Sequence, residues 1–158
     1  MTVPFHTPLS AAQQTGFGLP EPAPLALADK VKFSELDPLD HVNNVAYISW
    51  FENTRIRYFN DWDISHYRDG DPRIVIRRIE VDYLAEMRLH DVYVVTARCS
   101  AFRTTSFTLD HEVWCGSTRT ARARAVLVLL TPDGRTRLPI PEPVRRRFEA
   151  TDGAQAEG

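Results

Sequence analysis

A long helical pattern runs from Asn44 to Asp61. Its apolar residues recur at helical spacing but cover more than one stripe: Val45, Tyr47, Ile48, Trp50, Phe51, Ile56, Tyr58 and Phe59. A helix that is apolar on several sides is covered on several sides. We therefore predict one long helix wrapped by the rest of the chain, with Asn43 as its N-cap. Glu52 and Arg55, spaced i to i+3, are expected to form a surface ion pair.

Beyond a loop at residues 69–72 the hydrophobic period changes from helical to two. This alternation predicts a strand whose one face carries Val75, Ile79, Val81 and Tyr83, and whose other face carries Arg78, Glu80 and Asp82. Alternation over 92–102, 105–115 and 118–131 predicts three more long strands, with turns at residues 116–117 and 132–134. A short helix is expected near Pro141, because proline suits the first helical turn. One long helix with a run of antiparallel strands is an α+β layout.

The two ends of the chain have a different character. Residues 1–28 hold five of the eleven prolines, so we predict an extended arm without helix or central strand, either docked through Phe5 and Phe17 or disordered. Residues 30–36 are predicted to form a short strand with Val31 and Phe33 on one face. Residues 149–158 are predicted to be a frayed tail, which leaves residues 29–148 as the folded domain.

The composition limits the classes of protein that need to be considered. The 158 residues fit one domain, and 43% apolar residues are enough to bury a core. A net charge of −2 argues against a general nucleic-acid binder. The two cysteines lack the Cys-x-x-Cys spacing, which favours a reducing cytoplasm, and we find neither a membrane-length apolar run nor a signal peptide. Scattered histidines make a metal site improbable.

The segment most suggestive of chemistry runs from Asp37 to Tyr47, directly before and into the predicted helix. A helix start offers unpaired N–H groups and a partial positive charge. A carboxylate beside it can attack a carbonyl, or activate water against it, while the carbonyl oxygen rests on those N–H groups. This arrangement suggests acyl transfer.

Two motifs in this order resemble a known family. The pattern Asp37-x-x-x-His41-Val42-Asn43-Asn44-x-x-Tyr47, followed by Trp50-Phe51-Glu52, resembles the hotdog-fold acyl-CoA thioesterases of the 4-hydroxybenzoyl-CoA thioesterase type. Residues 106–113 resemble the middle strands of the same family, and the resemblance extends from about residue 30 to residue 148. It implies a long central helix wrapped by a curved antiparallel sheet of about five strands. It also implies hydrolysis of an acyl-CoA thioester to free acid and CoA without a cofactor, by a homodimer or homotetramer.

The resemblance also implies roles for individual residues. Asp37 is expected to act as nucleophile or as general base for water, and the backbone N–H of Asn44 to hold the oxyanion. His41 is expected to orient Asp37 or to bind substrate. A turn or capping role is the alternative for each of them, and Asp40 is a competing carboxylate in the same turn. The His-Val-Asn-Asn piece also resembles the plant acyl-ACP thioesterases, but Leu39 stands where that group has an asparagine.

Candidate substrate-binding residues come from three places. Asn43, Tyr47 and Trp50 are candidates for the acyl pocket, although aromatic residues such as Tyr47 and Trp50 are more often part of the core. Residues 119–147 hold eight arginines against two acidic residues, and Arg122 and Arg124 are candidates for the phosphates of CoA. The predicted hairpin with Arg103, Thr105 and Ser106 is a second candidate for the same role. A solvated charged face is the alternative reading of the arginines.

Two other functions fit the same sequence. A hotdog hydratase or dehydratase would use a histidine base beside a carboxylate and would act on an enoyl-CoA. A non-catalytic acyl-CoA-binding protein would bind a ligand and release it unhydrolysed. Release of free thiol from a panel of acyl-CoAs would distinguish these alternatives from a thioesterase.

Overall fold

A single sheet and the helix on its inner face organise the structure, a computed structural model that describes residues 2–158. The helices are α1 (Ala11–Phe17), α2 (Asn44–Asp61) and α3 (Glu142–Asp152). The strands are β1 (Leu25–Lys30), β2 (Arg73–Tyr83), β3 (Val92–Phe102), β4 (Ser106–Cys115), β5 (Thr118–Leu130) and β6 (Gln155–Ala156). The order across the sheet is β1-β3-β4-β5-β2 with antiparallel neighbours, and β6 adds to β3 in parallel. The predicted α+β fold class is therefore confirmed.

Helix α2 begins and ends where the sequence pattern places it. The side chain of Asn43 accepts a hydrogen bond from the Ala46 N–H at 2.8 Å, which confirms Asn43 as the N-cap. The buried face of α2 packs on the sheet, and Phe51 stacks on His111 of β4 with ring centroids 5.3 Å apart. Arg55 lies on this buried face, so its predicted surface ion pair with Glu52 is wrong. No helix within residues 2–158 is long and apolar enough to cross a membrane.

A β-bulge interrupts the predicted alternation of strand β2. The register with β5 shifts between Ile76 and Arg78. Val75 therefore points to the opposite face from Ile79 and Val81, and its predicted place beside them is wrong. Ile74 packs against the core instead, because the extra residue exchanges the two faces.

The N-terminal region departs most from its prediction. Residues 1–28 contain helix α1 and most of strand β1, which stands at the end of the strand order, where an extended arm without helix or central strand was expected. The prolines flank α1 rather than interrupt it, and Ser10 and Gln13 form a capping box at its start. The strand predicted at residues 30–36 is also wrong, since β1 ends at Lys30 and residues Phe33–Glu35 form a short 3-10 helix.

This N-terminal arm, residues 2–24, covers two parts of the sheet. On the outer face, opposite α2, its side chains join Val94 and Trp114 in a separate apolar cluster that includes Leu9, Leu19 and Phe17. Along the edge of β1, Phe5 forms a parallel bridge with Ala28, and the His6 N–H donates to the Ala28 carbonyl at 3.1 Å. The arm thus occupies the hydrogen-bonding edge of β1 that would otherwise be open.

The C-terminal residues close the opposite end of the core. The buried carboxylate of Asp152 accepts hydrogen bonds from the Tyr58 hydroxyl (2.5 Å), the Trp62 indole (3.0 Å) and the Cys99 N–H (2.7 Å). Burial raises the pKa of Asp152, while these hydrogen bonds favour its charged form. The prediction of a frayed tail at 149–158 is wrong here, because this segment ends α3, anchors α2 to β3 and supplies β6.

Replacement of Asp152 by alanine should destabilise the protein strongly. Three buried donors would lose their acceptor, and each such loss costs about 1–3 kcal/mol, so the free energy of unfolding should fall by about 3 kcal/mol or more. Urea unfolding monitored by tryptophan fluorescence measures the change. Glu149→Ala, an exposed position on the same helix, is the control and should be close to neutral. A loss below about 1 kcal/mol for Asp152→Ala would contradict the anchoring role.

Candidate active site

Asp37 sits in a closed turn directly before helix α2. Its Oδ1 accepts from the backbone N–H groups of Leu39 at 2.8 Å and His41 at 3.2 Å. The Asp37 N–H donates to the His41 carbonyl at 2.8 Å, and the Asp40 N–H donates to the Asp37 carbonyl at 3.0 Å. No hydrogen bond from the described residues 2–158 reaches the second oxygen, Oδ2. One oxygen therefore fixes the carboxylate while the other is available to a ligand.

Backbone contacts hold this turn against the rest of the fold. The Val42 N–H donates to the Met87 carbonyl at 2.9 Å, and the Asn43 N–H donates to the Glu35 carbonyl at 2.8 Å. The Glu35 carboxylate in turn accepts from the Trp50 indole at 2.6 Å, and Trp50 stacks on another core ring. The position of Asp37 is thus coupled to the buried face of α2.

The start of helix α2 lies open beside the turn. The side chain of the N-cap Asn43 accepts from the Ala46 N–H, and the N–H groups of Asn44 and Val45 have no partner within the helix. The Tyr83 hydroxyl donates to the Asn44 carbonyl at 3.0 Å, which ties the last residue of β2 to this helix start. Free N–H groups and the positive end of the helix dipole favour a developing negative charge.

Three large apolar side chains on the segments next to the Asp37 turn are exposed. Phe33 is 81% exposed, Leu39 72% and Val45 64%. Exposed apolar surface of this kind is characteristic of a surface that a substrate or another protein covers.

The other predicted catalytic candidates have different neighbours. The His41 imidazole lies 3.1 Å from the carboxylate of Glu86, so the contact between His41 and Asp37 is made by the backbone and not by the ring. Asp40 is exposed and adopts a left-handed φ of 61°, a conformation that aspartate tolerates in turns. Sequence reasoning did not identify Glu35 or Glu86, because their partners Trp50 and His41 lie far away along the chain.

Two aromatic candidates, Tyr47 and Trp50, belong to the core. Their exposed fractions are 3% and 5%, and their ring centroids lie 4.9 Å apart. In this chain they pack in a core cluster with Val42 and Leu36 of the Asp37 turn region, and they are not exposed to solvent.

Arg122 and Arg124 lie on the face of the sheet opposite helix α2. They alternate along β5 with Ala121 and Ala123, which pack with residues of α2, so both arginines point to the outer face. Arg122 forms an ion pair with Asp82 at 2.9 Å, and Arg124 binds both oxygens of Asp110 at 2.8 and 3.1 Å. Cross-strand carboxylates thus balance much of the positive charge that the sequence shows in this segment.

The hairpin with Arg103 forms a more basic groove. A cavity of about 330 Å³ on the outer side of the sheet is lined by Arg77, Arg78, Arg103, Ser106, Thr108 and Glu157, among others. Arg77 comes from the β2 bulge, and Arg103 and Ser106 come from the β3–β4 turn. The Thr105 carbonyl accepts from the Leu129 N–H at 2.9 Å, which holds this turn on β5. Three arginines and one carboxylate line this groove.

Comparison with known families gives one match. A family model described as the thioesterase-like superfamily matches residues 31–148. The matched region contains the Asp37 turn, helix α2 and the four long strands β2 to β5.

Similar proteins support the same assignment. The structure resembles that of a thioesterase-superfamily protein from Jannaschia sp. CCS1, with 41% identity, a TM-score of 0.94 and coverage of 99% of this chain and 100% of that one. It also resembles a thioesterase from Thermus thermophilus complexed with coenzyme A and zinc, with 35% identity and a TM-score of 0.71. The match covers 83% of this chain and 96% of the Thermus chain. The uncharacterized protein YsmA of Bacillus subtilis (strain 168) is 30% identical over 81 residues, 51% of this chain and 54% of YsmA. The chain thus spans about half the length of that curated relative. The hotdog fold implied by the sequence motifs is confirmed.

Proposed function

The chain belongs to the thioesterase-like superfamily, and we propose that it hydrolyses an acyl-CoA thioester to a free acid and coenzyme A. The observation that carries the proposal is the pairing of the fixed Asp37 carboxylate with the free N–H groups at the start of α2. The coenzyme A bound to the Thermus relative supports this class of substrate.

The proposed chemistry uses two groups of the chain. The thioester oxygen accepts from the Asn44 N–H, and Asp37 acts on the carbonyl carbon through Oδ2. As nucleophile, Asp37 forms an anhydride and expels the CoA thiolate, and water then opens the anhydride. As general base, Asp37 takes a proton from water as the water adds to the carbonyl carbon, and the tetrahedral intermediate then collapses to the free acid and expels the CoA thiolate. In both routes the negative charge of the tetrahedral intermediate develops at the helix start, where it is stabilised most.

The hydratase alternative is less well supported by the geometry. It needs an imidazole base acting beside the Asp37 carboxylate, whereas the His41 ring pairs with Glu86. In the proposed reaction His41 has a positioning role through its backbone N–H, which holds Asp37 Oδ1.

Replacement of Asp37 by asparagine should lower kcat by about a hundredfold or more, because an amide is a poor nucleophile and a poor base. Thiol release from a panel of acyl-CoAs measures the change. Asp40→Asn removes the same charge from the same turn and suits the left-handed φ of this position, so it is the matched control and should retain most activity. Equal loss of kcat in both well-folded variants would contradict the assignment of Asp37.

For the nucleotide end of the substrate we favour the groove at Arg103 over the face at Arg122 and Arg124. Arg78 pairs with Glu80, but the remaining arginines of the groove still outnumber its carboxylate. Arg122 and Arg124, by contrast, both have carboxylate partners. Arginine forks suit phosphate oxygens, and a partly exposed site of this kind should weaken with salt.

Replacement of Arg103 by alanine should raise KM for acyl-CoA several-fold and leave kcat nearly unchanged, because binding energy away from the reacting carbon is shared by ground and transition states. A truncated thioester without the nucleotide should be insensitive to this change. Arg122→Ala is the control and should leave KM unchanged. If Arg122→Ala raises KM and Arg103→Ala does not, the nucleotide end binds on the other surface.

We also propose that the protein is at least a dimer, formed through strand β2. The N-terminal arm covers the edge of β1, whereas no strand within residues 2–158 covers the outer edge of β2. That edge carries exposed Val75 and Ile76, and a bare apolar edge favours pairing with another strand. Two copies related by a two-fold axis would pair antiparallel. The beginning of the partner's β2 would then lie beside Tyr83 and the Asn44 helix start, so the active site would lie next to the interface.

Light scattering at micromolar concentration should give at least twice the chain mass. Replacing Val75 and Ile76 by lysine together should shift the protein toward the monomer, since charges on an edge strand oppose pairing. Phe5→Lys changes a similarly exposed residue at the opposite edge and should leave the mass unchanged. A monomeric wild-type protein would refute the proposal.

A further inference from the structure

Arg55 is a buried charged residue without a protein partner among residues 2–158. It lies on the core-facing side of α2 and is 3% exposed. Its Nη1 is inaccessible to solvent and donates to no acceptor in the described part of the chain, and no carboxylate there lies within ion-pair distance of it. Burial lowers the pKa of Arg55, and Glu52 and Tyr67 oppose this shift only through longer-range charge effects.

His111 lies near Arg55 and also has a buried side-chain nitrogen without a hydrogen-bond partner among the described residues. Phe51, one helical turn before Arg55, stacks on the His111 ring, so Arg55 follows along the same face of α2. His111 Nδ1 lies 2.9 Å from the Thr96 carbonyl, which can only accept, so Nδ1 carries the proton. Its Nε2 is buried and has no partner among the described residues. Burial and the charge of Arg55 lower the pKa of His111 to about 4.

Such a pair is costly for a structural core. A buried guanidinium needs a counter-charge or several hydrogen-bond acceptors, and apolar residues of similar size are often as stable or more stable in its place. The rest of the core shows how this chain satisfies buried charge, since the Asp152 carboxylate receives three donors. The arrangement at Arg55 and His111 therefore indicates a binding site.

We propose that Arg55 and His111 bind a carboxylate, and that its source is the far end of the acyl group, so that the preferred substrates are CoA thioesters of dicarboxylic acids. A carboxylate is planar, matches the guanidinium fork and supplies the missing counter-charge. Once bound, it accepts from the Arg55 guanidinium, and its negative charge opposes the burial and the Arg55 charge that both disfavour the imidazolium, so that a protonated His111 donates from Nε2 to the second oxygen.

The geometry limits the length of such a substrate. Arg55 follows Asn44 by eleven residues on the same helix, which is about 16 Å along the axis. Within one subunit, an acyl chain must span about that distance from the oxyanion site. The inner face of β5 opposite His111 and Leu109 carries only small side chains, Ala123 and Ala125. A preference for the terminal carboxylate is therefore expected only in the longer members of a series.

The test compares kcat/KM for three matched series of acyl-CoAs of increasing length, ending in a methyl, a hydroxyl or a carboxylate group. The wild type should prefer the carboxylate among the longer members. Arg55→Met should lower kcat/KM for these substrates by about tenfold to a hundredfold, the effect of losing a hydrogen bond to a charged group. Its activity on methyl-terminated substrates should stay within about threefold. Arg57→Met, on the same helix but paired with Asp61, is the control. It should leave unchanged the ratio of kcat/KM between carboxylate-terminated and methyl-terminated substrates.

Thermal unfolding supplies a second measurement that does not depend on turnover. At constant ionic strength, sodium acetate should raise the melting temperature of the wild type more than acetamide does, and Arg55→Met should abolish the difference. If Arg55→Met does not fold, Arg55→Lys replaces it, since lysine keeps the charge but lacks the fork.

The outcomes separate this inference from the proposed function on which it rests. If acetate stabilises the protein in an Arg55-dependent way but no thioester is hydrolysed, the carboxylate site is supported and the thioesterase function is refuted. If thioesters are hydrolysed without preference for a terminal carboxylate, and acetate has no effect on the melting temperature, the thioesterase function is supported and the carboxylate site is refuted. An equal preference for the hydroxyl series also overturns it, because the pair would then recognise a neutral group. Loss of the dimer in Arg55→Met, without a change in selectivity, would assign Arg55 to the subunit interface instead.

Discussion

The packing of helix α2 on the inner face of the sheet is the interaction on which the other features depend. Burial of aromatic side chains such as Phe51 and Tyr58 fixes the helix on the sheet. Its first N–H groups consequently have a fixed position, and Glu35 links the preceding turn to the buried Trp50. At the other end, Asp152 joins α2 to β3 through Tyr58 and Cys99. The active site proposed here needs such rigidity, because backbone N–H groups stabilise an oxyanion only when they are already in place.

Features with a strong local signal could be predicted from the sequence. Helix α2 and strand β3 occupy the predicted ranges. The Asp37 turn was recognised because its residues are adjacent in the chain. By contrast, the β2 bulge changes the face of Val75 through a single extra residue, and alternation alone does not reveal where that residue is inserted. Helix α1 escaped prediction because the prolines around it outweighed the capping signal of Ser10.

Partners that are distant in sequence account for most of the remaining differences. The charge of Arg124 depends on Asp110 of a neighbouring strand, and that pairing follows from the register of the sheet rather than from local composition. The pairing of His41 with Glu86 has the same origin. In the opposite sense, the spacing of Glu52 and Arg55 is ideal for a surface pair, but tertiary packing buries Arg55. Helical spacing shows which residues are near each other on a cylinder, whereas the sheet decides which of them meet solvent.

The N-terminal arm has a consequence for the order in which the chain can fold. Gly18 of the arm lies so close to the turn between β4 and β5 that a Cβ on it would be 2.5 Å from a Gly116 backbone atom. The ribosome therefore releases the arm about a hundred residues before its docking surface exists, a delay of several seconds at ordinary rates of synthesis. During this interval the apolar side chains of the arm, Leu9, Phe17 and Leu19, have no surface to pack on, and the arm does not yet cover the edge of β1. The arm is made before its docking surface but is among the last segments to reach its final position, and nascent chains are most vulnerable to association with one another until then.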